Sequence, residues 1–226
     1  MMSAAFTGLD DPTVRATLDR LHAAAAGDRW VFVRAVPGAI GALLSGRSYM
    51  DGVLPYLKDA YIPIGPDEGR LMYLTARSRN AQQIVEFGTS FGISAIYLAA
   101  AARMNGGRFI GTEREPNKIA AARANLSAAG LAEVAEVRAG DAMETLRDLD
   151  GPIDLVLLDG WKDLYLPMLQ MLRPKLRRGA VVFGDNMHTF PTDLAPYAAY
   201  VRDRRNGFES TTLPIGHGVE FSVVIE

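Results

Sequence analysis

From residue 82 onward the chain alternates short apolar runs with longer amphipathic or alanine-rich stretches, and this alternation restricts the fold more than any other feature. Runs at 83–87, 108–112, 133–138, 153–158 and 179–184 read as strands. The stretches 92–104, 115–129, 141–149 and 163–173 between them read as helices, with Gly106-Gly107, Pro116, Gly130 and Gly151-Pro152 supplying turn chemistry. Strands separated by helices pair in parallel through right-handed crossovers. The tail differs. A helix at about 193–205 precedes two β-like runs, 208–213 and 218–225, joined by Pro214-Ile215-Gly216-His217, which predicts a closing antiparallel hairpin.

Ahead of this core, residues 10–26 predict an amphipathic helix. Asp10 or Asp11 can cap it, Pro12 fits its first turn, and Val14, Leu18 and Leu21 share one face. Residues 35–60 are glycine-rich and irregular, with short helices expected. Ile64-Gly65-Pro66-Asp67-Glu68 opens a helix reaching about Arg79, with two acids at its positive end. The expected organisation is a single domain over 1–226, with 1–60 as a helical cap or lid and 61–226 as the core. A chain of 226 residues is long enough for one such α/β domain.

Each expected strand leads into residues with chemical potential. Val85-Glu86-Phe87-Gly88-Thr89-Ser90-Phe91-Gly92 follows the first strand. Glycines at 88 and 92 allow a sharp turn and close approach of a ligand, and the next helix points its N-terminus there. The second strand ends in Glu113, where an acid can accept hydrogen bonds from both hydroxyls of a ribose. The third leads to Gly140-Asp141, placed for an exocyclic adenine amine. Alone, such a turn is also compatible with simple strand–helix packing. Together with Glu113 and Asp141 it points to a nucleoside ligand. The missing third glycine of the dinucleotide fingerprint, and an acid just before the turn, favour S-adenosylmethionine over NAD. Ser94 is placed for the methionine carboxylate.

The fourth strand runs into Leu158-Asp159-Gly160-Trp161-Lys162, and the fifth into Asp185-Asn186. Three oxygen donors and one amine at the ends of neighbouring strands could hold a hard cation beside a general base, and oxygen-only donors suit Mg2+ or Mn2+ rather than Zn2+. Taken singly, Asp159 could be a helix cap and Lys162 a surface lysine.

The Glu86–Gly92 turn, Glu113, Asp159-x-x-Lys162 and Asp185-Asn186, in this order, resemble the cation-dependent class I S-adenosylmethionine O-methyltransferases, the family of catechol and caffeoyl-CoA O-methyltransferases. The resemblance covers roughly residues 60–226. It implies a Rossmann-like α/β fold with a seven-stranded, mostly parallel sheet, a C-terminal antiparallel hairpin and an N-terminal helical cap. It implies Asp159, Asp185 and Asn186 as metal ligands and Lys162 as general base. Ile64, Glu86, Gly88, Thr89, Ser94, Glu113, Asp141 and Trp161 are implied to surround the cofactor. The implied reaction is methyl transfer from S-adenosylmethionine to a hydroxyl of a small catechol-like or phenolic acceptor. A phenol of pKa about 10 is ionised in about one molecule per thousand at pH 7, a deficit of roughly 4 kcal/mol. A divalent cation and a base together address that deficit. Lys162 can serve as a base only when neutral, and a nearby dication disfavours its ammonium form.

Alternative acceptors are an acyl-CoA-linked phenol or a hydroxylated RNA base, and a catalytically silent cofactor-binding module is the alternative of another class. The net charge of −2 gives no basic field to recruit nucleic acid. The absence of cysteine excludes thiolate metal sites and thiol nucleophiles, and suits a reducing cytoplasm. No signal peptide is legible, and the alanine run at 95–102 is too short to span a bilayer. Family members often form homodimers, but no interface is legible. Trp30, Tyr49, Met50, Tyr56 and Tyr61 are candidates for an acceptor wall or for core packing. His22 reads as a helix-surface residue, His188 as a loop residue within reach of substrate or metal, and His217 as a structural residue of the terminal turn. Two basic clusters, Arg173-Lys175-Arg177-Arg178 and Arg202-Arg204-Arg205, read as helix C-terminal charges. One departure from the animal catechol enzymes is that their acid before the last strand has no counterpart in 211–215. Glu220 reads as part of that strand.

Overall fold

The computed structural model describes residues 8–27, 36–37, 41, 45 and 64–226. The expected acceptor-wall residues Trp30, Tyr49, Met50, Tyr56 and Tyr61 lie outside these, as does most of the 1–60 segment. Described elements are α1 (Pro12–Gly27), α2 (Pro66–Ser78), β1 (Gln83–Phe87), α3 (Ile93–Met104), β2 (Arg108–Glu113), α4 (Pro116–Ala128), β3 (Ala135–Ala139), α5 (Ala142–Thr145), β4 (Ile153–Leu158), α6 (Tyr165–Leu172), β5 (Leu176–Gly184), α7 (Ala195–Arg202), β6 (Phe208–Leu213) and β7 (Val219–Val224). They form a seven-stranded sheet in the order β3-β2-β1-β4-β5-β7-β6. β1 to β5 are parallel, and β7 runs antiparallel to both β5 and β6.

Strand alternation builds two cores. Leu155, Leu157, Val181 and Phe183 face α1–α4, whereas Val156, Leu158 and Val182 face α5–α7. Helix α3 is buried along Ile93–Ala102 on every side, which its alanines permit because small side chains let α2 and the sheet approach closely. Gly69 of α2 touches α3, since a Cβ there would lie 2.4 Å from the Tyr97 ring. On α1, Asp11 Oδ1 accepts from the Thr13 amide at 2.9 Å, capping the helix as its sequence indicated.

Three expectations need correction. The helix expected at 141–149 is one turn long. It gives way to tight turns, with Arg147 N–H donating to Glu144 O and Leu149 N–H to Leu146 O, which set Leu146 and Leu149 into the core. Arg177 and Arg178 do not end a helix. Pro174 stops α6 by removing a backbone donor, β5 starts at Leu176, and Arg177 pairs with Asp154. His22 is not a simple surface residue. Its Nε2 lies 3.1 Å from the Tyr97 hydroxyl, and burial lowers its pKa from the ordinary value.

The turn after β1 is tightly packed against the residues that follow β4. Gly88 has φ +95°, and a Cβ there would lie 2.7 Å from the backbone carbonyl of Asp159. Gly88→Ala is therefore expected to destabilise the protein by about 1–3 kcal/mol from backbone conformation alone, with the clash added. A lowered urea midpoint checks this, and an unchanged one contradicts the assigned contact.

Candidate active site

The parallel ladder continues one residue past the ends of three strands. Asp159 N–H donates to Phe87 O at 2.9 Å and Asp185 N–H to Leu158 O at 3.1 Å. Gly88 and Thr89 N–H both donate to Thr112 O, at 3.3 and 3.0 Å. Gly88, Asp159 and Asp185 are thus fixed side by side on the C-terminal edge. The strand order reverses between β1 and β4 at this place, where open α/β sheets form their ligand crevice.

Lys162 starts a three-ten turn, Lys162–Leu164, and its Nζ lies 3.5 Å from Asp159 Oδ1. Nζ also donates to the Tyr165 hydroxyl at 2.9 Å, which donates to the Asp185 carbonyl at 3.3 Å. The Tyr165 and Phe190 rings flank the ammonium, at 4.9 and 5.7 Å from their centroids. Asp185 and Asn186 are both buried. Asn186 has φ +67°, a conformation asparagine tolerates better than most residues. It donates its backbone N–H and Nδ2 to the Asp185 carboxylate at 2.5 and 2.8 Å, so its side-chain oxygen points elsewhere.

A further acid joins this group. Glu68, in the first turn of α2, is 1% exposed, and neither carboxylate oxygen has a hydrogen-bond partner among the described residues. Burial, then the charges of Asp185 and Asp159, push its carboxyl up to about 9. Burial and Asp185 push Asp159 up to about 8, against the opposing pull of Lys162, and burial also raises Asp185. The sequence reading treated Glu68 as a helix-end charge. A local signal was present, because Glu68 stands on the buried stripe of α2 with Met72 and Ala76, four and eight residues on.

The turn after β1 holds a second set of unpaired acceptors. Glu86 is fully buried, and neither of its oxygens, nor Thr89 Oγ1, has a hydrogen-bond partner among the described residues. The Ser94 and Thr89 hydroxyls face Glu86 without completing a hydrogen bond, and burial lifts its carboxyl to about 7. Glu113 Oε2 accepts from Ser90 N–H at 2.8 Å, and Oε1 accepts from the Arg114 and Glu115 amides at 2.7 and 3.0 Å, so the carboxylate is locked beside the turn. Asp141 caps α5 through Met143 N–H at 2.8 Å, two strands away from β1. Ile64 is buried just before α2, and Trp161 is 40% exposed beside Lys162.

Glu220 is the nearby acid that the geometry excludes from ligand contact. Burial raises it, but hydrogen bonds from Arg202, Thr212 and Ser210 hold its carboxyl below the usual range. Arg202 grips it through Nε and Nη2 at 2.8 and 2.7 Å, and Ser210 and Thr212 hydroxyls donate at 2.7 and 2.5 Å. His188 and His217 are exposed at the rim, joined by a 2.8 Å bond from His188 N–H to His217 O.

The donor set fits a hard divalent cation. Oxygen ligands converge, like charges are buried together, and one lysine offsets them. Among the described residues, no three His, Cys, Asp or Glu side chains lie close enough to hold a metal by themselves. Asp159 and Asp185 with the Asn186 amide are a set of two acids and a neutral oxygen, so they are not such a cluster. The unpaired oxygens at Glu86 and Thr89 fit a ligand rich in hydrogen-bond donors.

A seven-stranded sheet in this order, with its reversed last strand, defines the class I methyltransferase fold. A family model described as a methyltransferase domain matches residues 85–187. A catechol O-methyltransferase of Mycobacterium tuberculosis is 37% identical over 127 residues, 56% of this chain and 57% of that protein. One from Niastella koreensis is 33% identical, over 56% of this chain and 58% of that protein. The matches therefore span little more than half of either relative. The cofactor-bound structure of Rv0187 from MTB superposes with TM-score 0.70 at 26% identity, covering 95% of this chain and 97% of that one. The O-methyltransferase of Bacillus cereus in complex with SAH shares the fold at TM-score 0.67 and 21% identity, covering 90% of this chain and 99% of that one. In fold and in sequence the chain is similar to class I S-adenosylmethionine O-methyltransferases.

Glu86 sets a pH dependence. A carboxyl raised to about 7 contributes stability that is present below its ordinary value and lost as pH rises through 7. Ligand-free protein is expected to lose about 3 kcal/mol from this group between pH 4.5 and 8. Glu86→Gln should flatten that decline without abolishing it, because Asp159 and Glu68 are raised as well. Urea unfolding at pH 5 and pH 8 checks this. Equal slopes for wild type and variant would remove Glu86 as the source.

Proposed function

We propose that this chain is a divalent-cation-dependent O-methyltransferase that uses S-adenosylmethionine and acts on a small phenolic or catechol-like acceptor. The observation that carries the reading is the convergence of Asp159, Asp185, Asn186 and Lys162 at the sheet edge beside the Gly88 turn. The relatives named catechol O-methyltransferase point to an acceptor with neighbouring hydroxyls.

In this reading S-adenosylmethionine supplies an already activated methyl group. Glu113 receives the ribose hydroxyls, with its carboxylate held in place by three backbone amides. Asp141 takes the exocyclic adenine amine through the oxygen not used in capping α5. Glu86 and Thr89, whose oxygens are unpaired among the described residues, meet the methionine end together with Ser94. Ile64 and Trp161 close the apolar sides, and Gly88 lets the backbone come near.

A divalent cation, Mg2+ or Mn2+, supplies Lewis acidity that lowers the cost of ionising the acceptor hydroxyl. Asp159, Asp185 and the Asn186 side-chain oxygen would hold it. Lys162 Nζ in its neutral form takes the acceptor proton, oriented by Tyr165 and Phe190. S-adenosylmethionine would supply the methyl group and leave as S-adenosylhomocysteine, and the main remaining contribution of the chain would be to orient the acceptor oxygen. Glu220 is committed to Arg202, so it is not free to receive a second acceptor hydroxyl. The exposed His188 and His217 are the polar groups at that rim.

Lys162→Ala is expected to lower turnover of a test catechol by about 10²–10⁴-fold while calorimetric affinity for S-adenosylhomocysteine is retained. EDTA should abolish activity and Mg2+ restore it. Near-normal turnover of the variant sinks the role of Lys162, and EDTA-resistant activity sinks the cation. Cofactor binding without cation-stimulated methylation of any phenol identifies a silent binding module.

A further inference from the structure

We propose that Glu68 is a further cation-holding residue of this site, acting through water ligands of the cation; the inference rests on the cation reading above. Nothing in the matching sequence motifs assigns it, because it sits on α2, some ninety residues before Asp159. Its position is built from three sides. From below, α2 turns its buried stripe toward the core, with Glu68 continuing the line of Met72 and Ala76. From above, the β6–β7 turn closes over it, since a Cβ on Gly216 would lie 2.5 Å from Glu68 Oε2. That turn is tied to the segment after Asn186, with Met187 N–H donating to Gly218 O at 2.9 Å and His188 N–H to His217 O at 2.8 Å. From the side, the Glu68 carboxyl lies against Asp185 and within electrostatic reach of Asp159.

A structural role does not account for this arrangement. An apolar residue would fill the same place on the stripe without loss. A carboxylate there gives up its hydration, completes no hydrogen bond among the described residues and faces the acidic Asp185. The one ammonium in the cluster, Lys162, is engaged by Asp159 and Tyr165. When all three acids are ionised, three carboxylates against one ammonium leave two negative charges, which one divalent cation would cancel. Glu68 is not a third direct carboxylate ligand, because no three such side chains among the described residues lie close enough together. Its oxygens are instead suited to accept hydrogen bonds from water that a small, reluctantly dehydrated ion such as Mg2+ keeps.

The test is a calorimetric titration of Mg2+ and, separately, Mn2+ into the full chain and its Glu68→Gln and Glu68→Met variants. Both variants are close in volume to glutamate, and circular dichroism confirms their fold. The expected result is a cation affinity 10–100-fold weaker, an S-adenosylhomocysteine affinity equal to wild type, and cation-free melting temperatures at or above wild type because an uncompensated buried carboxyl has gone. Unchanged cation affinity in both variants overturns the role of Glu68 alone. Weakened S-adenosylhomocysteine binding with intact cation affinity also overturns it, assigning the residue to the cofactor. Absence of cation binding by the wild type overturns both this inference and the cation reading on which it rests.

Discussion

Everything at the candidate site hangs on the register of β4 between β1 and β5. Phe87 pairs with Leu158, and Leu158 with Gly184, so the next residues of the three chains emerge together at one edge. A slip of one residue would turn Asp159 and Asp185 to different levels and swap the faces of Leu157 and Leu158. The two cores oppose such a slip, because each face of β4 is buried against a separate helical layer. Packing energy far from the edge therefore secures the spacing of a few polar groups upon it.

The two ends of β4 show what distinguishes a structural carboxylate from one awaiting a ligand. Asp154 is buried, yet Oδ2 accepts the Gln82 and Gln83 amides at 2.9 and 2.8 Å and Oδ1 pairs with Arg177. Glu220 is likewise buried and fully engaged by Arg202 and two hydroxyls. Glu68 and Glu86 are buried without hydrogen-bond partners among the described residues, and Asp159 shares one lysine with its acidic neighbours. Burial without compensation is costly, and its concentration at one edge fits a surface that is completed by cationic and donor-rich partners.

Tyr165 couples the parts of this edge. It accepts from Lys162, donates to the Asp185 carbonyl, and packs edge-on against Phe87 and Tyr197, with centroids 6.4 and 5.6 Å away. It connects the base expected in the sequence, the backbone of the acid on the next strand and the apolar core. Its first-turn position in α6 gave no sign of this, because a tyrosine on an apolar helix face reads as core.

The alternation of strands and helices, the closing hairpin and the strand-end positions of Asp159, Asp185 and Asn186 were legible in the chain. Each depends on local matters: apolar runs of strand length, glycines where the backbone must turn, and polar residues directly after a strand. Helix ends were less legible, as at 141–149 and before Arg177, because a proline or the demand to bury Leu149 overrides propensity. By itself the sequence determined which residues stand at the ends of the strands. Only the tertiary structure decided that Glu68 joins them, that Glu220 is withdrawn by Arg202, and that His22 packs on Tyr97. Those outcomes turn on which charges and hydrogen-bond partners meet across long separations, and such meetings exist only after the layers have packed.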